Sequence, residues 1–133
     1  MFTTNIKVYF YDADPAGIIF YANLFRFTHS AYEDMMRSFE LERNFFFDRD
    51  YVLPIIHAEA DYIKPIKVGE IITASIVVSQ LKDSSFELSY TFTGSNDDIR
   101  AKAKTVHVCV DKKSFVKSNL PQDFYDKLAA NQS

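Results

Sequence analysis

Residues 11–23 read Tyr-Asp-Ala-Asp-Pro-Ala-Gly-Ile-Ile-Phe-Tyr-Ala-Asn (YDADPAGIIFYAN), and the hydrophobic period changes across them. Upstream, Thr4–Tyr11 alternates Ile6, Val8 and Phe10 with Lys7, Tyr9 and Tyr11, the two-residue repeat of a strand. Downstream, Phe20, Leu24, Phe27, Ala31, Met35 and Phe39 recur at three- and four-residue spacing. That spacing predicts an amphipathic helix from about Tyr21 to Phe39, with Glu33, Asp34, Arg37 and Glu40 largely off its apolar stripe. Between the two patterns, Asp12–Gly17 brings Asp, Pro and Gly close together and predicts a turn.

Past the helix, Asn44–Tyr51 is irregular or a short helical turn, and the strand pattern then returns. Leu53–Ile63 predicts a strand, and Lys64–Glu70 (KPIKVGE) a connection punctuated by Pro65 and Gly69. Ile71–Leu81 and Ser85–Thr93 predict two strands joined by a tight hairpin at Lys82–Ser84. Gly94–Asp98 makes the next turn, Ile99–Asp111 the last long strand, and Pro121–Ala129 a short helix with Pro near its first position. Consecutive strands on short turns imply an antiparallel sheet. With one long apolar-faced helix to cover, the expected architecture is α+β: a five-stranded antiparallel sheet wrapped around one central helix, in a single domain over residues 1–133.

Composition sets the function classes. The chain has 133 residues, 47% of them hydrophobic, and its 13 Phe and 8 Tyr supply a core without disulfides or a metal. Cys109 is the only cysteine and lies in an apolar strand pattern, as a buried inert thiol does. A net charge of −3 argues against nucleic-acid binding. Residues 71–133 nevertheless carry one more basic than acidic side chain, so an anionic ligand is expected to find its basic patch there. The N-terminus runs straight into a strand pattern, with no basic stretch followed by an apolar one, and no apolar run approaches the ~20 residues of a membrane span. A cytoplasmic protein with no membrane partner is expected. The three His and one Cys show no metal-ligand spacing, and there is no G-x-S-x-G elbow for Ser/His/Asp catalysis.

The order of elements alone names no function; residues 11–23 do more. They resemble the signature of the 4-hydroxybenzoyl-CoA thioesterase family of hot-dog proteins, roughly D-x-D-x-x-G-x-V/I-x-[FYH]-x-N before the central helix, with Asp12, Asp14, Gly17, Ile19, Tyr21 and Asn23 in its positions. Many members carry His where this chain has Tyr21. Two later landmarks fit as well: His57–Gly69 resembles the family's E-x-x-Y-x-x-P-x-x-x-G region, and Lys104–Asp111 its terminal strand. Within the family, Phe25–Asp34 (FRFTHSAYED) and Leu53–Asp61 (LPIIHAEAD) look most like hydrolases of 1,4-dihydroxy-2-naphthoyl-CoA.

The resemblance implies a hot-dog fold and a thioester hydrolase acting on an acyl-CoA, with no cofactor, CoA being part of the substrate. It assigns catalysis to Asp14, which either attacks the thioester carbon or deprotonates a water that does. The backbone N–H of Tyr21, at a helix start rich in unpaired donors, resembles the family's donor to the thioester carbonyl. Gly17, Ile19 and Asn23 complete the motif's substrate contacts. Asp12 is expected to be structural, bonding the turn backbone.

Further along, His57 and Glu59 lie two apart on one strand and so share a face, turned to substrate, to an interface or to solvent. Lys82, Ser84 and Ser85 are candidates for CoA, since family members often place basic residues there. Arg100, Lys102 and Lys104 alternate as a basic stripe that is either a phosphate contact or a solvated sheet face. His29 is expected to be packed or at an interface, and His107 structural. Hot-dog proteins of this type pair two sheets edge to edge, so a homodimer or homotetramer is implied, with Asp14 of one chain meeting strand residues of the other. The acyl group stays open between an aromatic one and a fatty chain carried by CoA or an acyl carrier protein. A non-catalytic acyl-binding protein is the alternative from another class.

Overall fold

The structure is a computed structural model and describes residues Met1–Ser133. In chain order it forms β1 (Phe2–Lys7), a 3-10 turn (Phe10–Asp12), α1 (Asn23–Ser38), β2 (Tyr51–Val52), β3 (Ile55–Tyr62), β4 (Ile71–Leu81), β5 (Ser85–Thr93), β6 (Ile99–Val108), β7 (Val110–Asp111) and α2 (Gln122–Ala129). Five strands make one antiparallel sheet in the order β1-β4-β5-β6-β3, and β2 pairs with β7 in a separate two-stranded ribbon.

The alternation along each strand decides which face is covered. Ile72, Ala74, Ile76 and Val78 of β4, Phe86, Leu88, Tyr90 and Phe92 of β5, and Ala101 and Ala103 of β6 are buried. Against them α1 sets Leu24, Phe27, Ala31 and Met35, the stripe read from the sequence. Fully burying a Phe such as Phe27 or Phe92 is worth roughly 2–3 kcal/mol, so this face dominates the stability. α2 closes the open end, with Phe124 lying 4.7 Å from Phe45 and edge-on to Phe86 at 5.5 Å between ring centroids. The opposite sheet face carries Ser75, Ser79, Ser89, Thr91, Lys102 and Lys104.

Among the boundaries that differ from the sequence expectation, three have a clear local reason. β1 stops at Lys7 instead of running to Tyr11. Val8 bonds Glu70 and Gly69 in the loop before β4, and the chain then coils into Phe10–Asp12. The helix starts at Asn23, because residues 20–22 form a tighter entry turn. The last strand breaks at Cys109, whose N–H goes to Ser84 O at 2.8 Å, freeing Val110–Asp111 to pair with Tyr51–Val52.

β3 is an edge strand. One side pairs with β6, the other is free, and seven of its eight residues are exposed. No helix is long and apolar enough to cross a membrane.

Candidate active site

Residues 11–23 form a pinched loop between β1 and α1. Ala13 and Ile19 face each other as an antiparallel bridge, and Asp14 N–H donates to Ile18 O at 2.9 Å. Inside the pinch, Gly17 N–H donates to Asp14 O at 3.0 Å, closing a turn with Pro15 at its second position. Gly17 has φ +79°, a conformation in which any other side chain is strained. The turn leaves Asp14 half-buried, with Oδ1 accepting Ala16 N–H at 2.8 Å and Oδ2 unbonded.

Asp12 has a different task. It is 1% exposed, and its carboxylate accepts Tyr9 N–H at 2.8 Å and pairs with Arg26 on α1. Its carbonyl accepts Phe20 N–H at 2.9 Å and the Asn23 side-chain amide at 2.8 Å. Asp12 thus ties the end of β1 to the first turns of α1. Asn23, a motif position expected at the substrate, spends its amide on that tie. Ile19 is likewise buried, in the main core cluster.

The helix entry leaves donors open. Asn23, Leu24 and Phe25 donate to Phe20, Tyr21 and Ala22 carbonyls in tight i→i−3 bonds, at 2.8, 3.4 and 3.2 Å. The N–H groups of Tyr21 and Ala22 meet no acceptor within the chain, and no side chain caps the helix. Tyr62 at the end of β3 donates its hydroxyl to the Tyr21 carbonyl, fixing the plane of the 21–22 peptide. Burial and the neighbouring Tyr21 hydroxyl push the Tyr62 hydroxyl above the usual tyrosine range, which keeps it a donor. The spacing E-x-x-Y marked Tyr62 as a landmark, but a contact across 41 residues has no sequence signal.

A cleft of about 250 Å³ opens beside the loop, walled by Ile18, Ile19, Tyr62, Ile63, Pro65 and Ile66. Tyr21 in the entry turn and Phe25 and His29 on α1 follow at four-residue spacing and are all exposed. Tyr32 and Phe46 flank His29 at 5.7 and 6.4 Å. A larger cleft of about 550 Å³ lies among Arg43, Asp48, Arg49 and Asp50, where Phe47 is the only apolar wall. None of the candidate residues lines it.

Other candidates sit apart. His57 and Glu59 contact each other at 3.2 Å on β3, exposed on the outer sheet face. Lys82, Ser84 and Ser85 form the β4–β5 hairpin; Lys82 and Ser85 share a surface cleft of about 260 Å³ with Ile56 and Lys117. The eleven residues of β4 separate this hairpin from the loop end of the sheet, about 35 Å at roughly 3.3 Å per residue. One chain therefore does not bring Lys82, Ser84 and Ser85 to Asp14.

The basic stripe is divided. Lys102 and Lys104 are exposed opposite Asp61 and Glu59 of β3. Arg100 turns away instead, binding Glu70 at 2.7 and 2.9 Å and Asp98 at 2.9 Å. Four of its five guanidinium N–H donors are spent within the chain, on Glu70, Asp98 and the Pro65 carbonyl, so it does not present an open fork as Lys102 and Lys104 present their ammonium groups. His107 is fully buried, stacked on Phe86 with ring centroids 4.8 Å apart and 2.8 Å from Thr105 Oγ1. Burial first, then the charge of His29, lower its pKa to about 4, leaving it neutral. No cluster of His, Cys, Asp or Glu is placed to hold a metal.

Residues 8–128 match the thioesterase-like superfamily. A 1,4-dihydroxy-2-naphthoyl-CoA hydrolase of Nostoc punctiforme is 33% identical over 132 residues, covering 98% of this chain and 88% of the relative. One of Gloeothece citriformis is 37% identical over 113 residues, covering 83% and 79%. The crystal structure of a 1,4-dihydroxy-2-naphthoyl-CoA thioesterase from Synechocystis superposes with a TM-score of 0.90 at 28% identity, covering 96% of this chain and 95% of that one.

Proposed function

The chain belongs to the thioesterase-like superfamily, and on that premise we propose that it hydrolyses an aromatic acyl-CoA, of the 1,4-dihydroxy-2-naphthoyl class, to the free acid and CoA. The observation that carries this reading is the pairing, in one loop, of an Asp14 oxygen left free with a helix entry whose Tyr21 and Ala22 N–H groups are unused. Hydrolysis needs these two things: an oxygen to attack the thioester carbon or take a proton from attacking water, and donors aimed where negative charge develops.

Tyr21 N–H serves as the carbonyl donor, worth about 3–4 kcal/mol in the transition state. The α1 dipole adds to it at the same end. As charge grows on the carbonyl oxygen, Asp14 either takes a proton from an attacking water or attacks directly, giving an acyl anhydride on Asp14 that water then hydrolyses to the free acid and the regenerated carboxylate; in both routes the C–S bond breaks and CoA leaves as the thiolate. Tyr62 keeps the adjoining 21–22 peptide, which carries the unused Ala22 N–H, from rotating. The exposed Tyr21, Phe25 and His29 face offers flat rings to an aromatic acyl group, which favours that class over a flexible fatty chain.

The functional unit in this reading is at least a dimer. Antiparallel pairing of the free β3 edge with a second copy satisfies its open backbone groups. It also brings the Ile55 end of one β3 to the Tyr62 end of the other. Lys82, Ser84 and Ser85 of one chain then lie on the same side as Asp14 of its partner, within reach of the CoA phosphates.

The test is a panel of dihydroxynaphthoyl-, benzoyl- and long-chain acyl-CoA esters assayed for thiol release. The aromatic esters are expected to give the highest kcat/KM. Preference for the long chains overturns the acyl assignment, and no release from any ester overturns the hydrolase reading.

A further inference from the structure

Arg100 grips one segment at several points. Its guanidinium donates to both carboxylate oxygens of Glu70, to Asp98 Oδ2 and, at 2.8 Å, to the carbonyl of Pro65. Its own carbonyl accepts the N–H groups of Ile63 and Lys64 at 2.9 and 3.0 Å. Glu70 Oε1 also accepts Lys67 N–H at 2.8 Å. The connection between β3 and β4 is thereby held at both ends and in its middle. The Arg100 side chain is only 12% exposed, so the grip is shielded from solvent.

The gripped connection is the surface against which the Asp14 loop is registered. Ile66 O accepts Ile19 N–H at 2.9 Å, Lys67 bridges Ile18, and Val68 N–H donates to Gly17 O at 3.2 Å. Residues 17–19 are the ones that bond back to Asp14 and Ala13. A continuous line of bonds runs from Arg100 through Pro65 and Glu70, then Ile66 and Val68, to the turn presenting Asp14. Gly94 completes the seat: a Cβ there would lie 2.5 Å from Arg100 Nη2 and 2.6 Å from Asp98 Oδ1. A side chain at Gly94 therefore displaces the guanidinium without touching the loop.

We infer that Arg100 is a positioning residue: with Glu70 it holds the 63–70 connection as a template that sets the place of Asp14, and so governs turnover without contacting substrate. Misplacing a reacting group by about 1 Å costs on the order of 100-fold in rate, so a modest relaxation of the template is visible in kcat. The kinetic side of this inference rests on the hydrolase reading above; its structural side does not.

The experiment compares wild type with Arg100→Gln, Arg100→Lys, Glu70→Gln and Gly94→Ala. Each is assayed on a CoA ester and on the N-acetylcysteamine thioester of the same aromatic acid, which lacks phosphates. Amide hydrogen exchange is followed on all of them. Expected for Arg100→Gln is a fall in kcat of about 10- to 100-fold, equal on the two esters, with KM within about threefold. Arg100→Lys should recover part of the loss, Gly94→Ala should reproduce part of it, and Arg100→Gln/Glu70→Gln should be no worse than the poorer single variant. Exchange should quicken in residues 14–21 and 63–70 while α2 stays protected. Leu128→Ala, buried in α2 near the far half of β4, is the control for general destabilisation and should leave kcat unchanged. An unchanged kcat in Arg100→Gln overturns the inference, as does a KM increase confined to the CoA ester, which would make Arg100 a phosphate contact. If wild type hydrolyses no ester, the hydrolase reading fails, and the exchange pattern alone decides the positioning: no local quickening overturns it.

Discussion

Asp12 and Asp14 stand two residues apart and occupy opposite environments. Asp12 is buried and fully bonded to Tyr9, Arg26 and, through its carbonyl, Phe20 and Asn23; Asp14 is half-buried with one oxygen unbonded. One carboxylate builds the loop and the other is presented by it.

That division predicts a separation of stability from activity. Asp12→Asn removes the charge facing Arg26 and weakens the Tyr9 tie, and should cost about 1–3 kcal/mol of unfolding free energy, since Arg26 is itself half-exposed. Asp14→Asn keeps an oxygen for Ala16 N–H and should stay within about 0.5 kcal/mol of wild type. Urea midpoints of the two variants check this.

Tyr62→Phe removes a single hydrogen bond to the Tyr21 carbonyl and leaves the ring in place. One such bond is worth about 0.5–1.5 kcal/mol, so kcat should fall roughly 2- to 12-fold. KM should hardly move, because the bond holds the 21–22 peptide beside the Tyr21 donor at the helix entry and does not touch the CoA. Steady-state kinetics on one aromatic ester separate the two parameters.

Stability should fall on the acid side. His107 has its folded pKa lowered to about 4 from an ordinary 6.5, so the unfolded chain takes up the proton first. Its contribution is fully present above about pH 6.5 and is lost as pH falls toward 4, by up to about 3 kcal/mol. Glu70, held below the usual carboxylate range chiefly by its hydrogen bonds to Arg100, acts in the same sense: its stabilisation is lost as pH falls through its folded pKa. His107→Phe keeps the stack on Phe86 and removes the first of these terms. Denaturation midpoints between pH 4 and 7 should therefore show a shallower slope for His107→Phe than for wild type.

If Lys82 of one chain serves Asp14 of its partner, two inactive variants should rescue each other. Asp14→Asn and Lys82→Glu, unfolded and refolded together, place half of the dimers as mixed pairs with one intact site of two. Activity should return to about a quarter of wild type. No recovery would contradict the pairing of Lys82 with Asp14 of the partner.

Much of the fold was legible because burial follows the period. Phe86, Leu88, Tyr90 and Phe92 alternate and are buried, and Leu24, Phe27, Ala31 and Met35 recur as a helix stripe. The end of β1 was not legible. Val8, Tyr9 and Phe10 continue the alternation, yet Val8 already bonds the loop at Gly69 and Glu70, a pairing that depends on residues 61 positions away or more. The Asp14 turn was marked by its own Asp, Pro and Gly. Arg100 misled because alternation with Lys102 and Lys104 fixes a face but not a reach, and its long side chain bends to Glu70 and Asp98. Tyr62 and Tyr21 meet only once the sheet is formed. Asp14 and the Lys82 hairpin, joined only in the proposed dimer, lie at opposite ends of β4, a separation no local pattern reports.

The most direct measurement is thiol release from an aromatic acyl-CoA by wild type and Asp14→Asn, with both proteins shown to bind the ester. The account predicts hydrolysis by wild type and a loss of at least about 1,000-fold in kcat for Asp14→Asn at similar affinity, as for a group that makes or activates the attacking oxygen. Equal rates for the two proteins, or ester binding without hydrolysis by either, would contradict it.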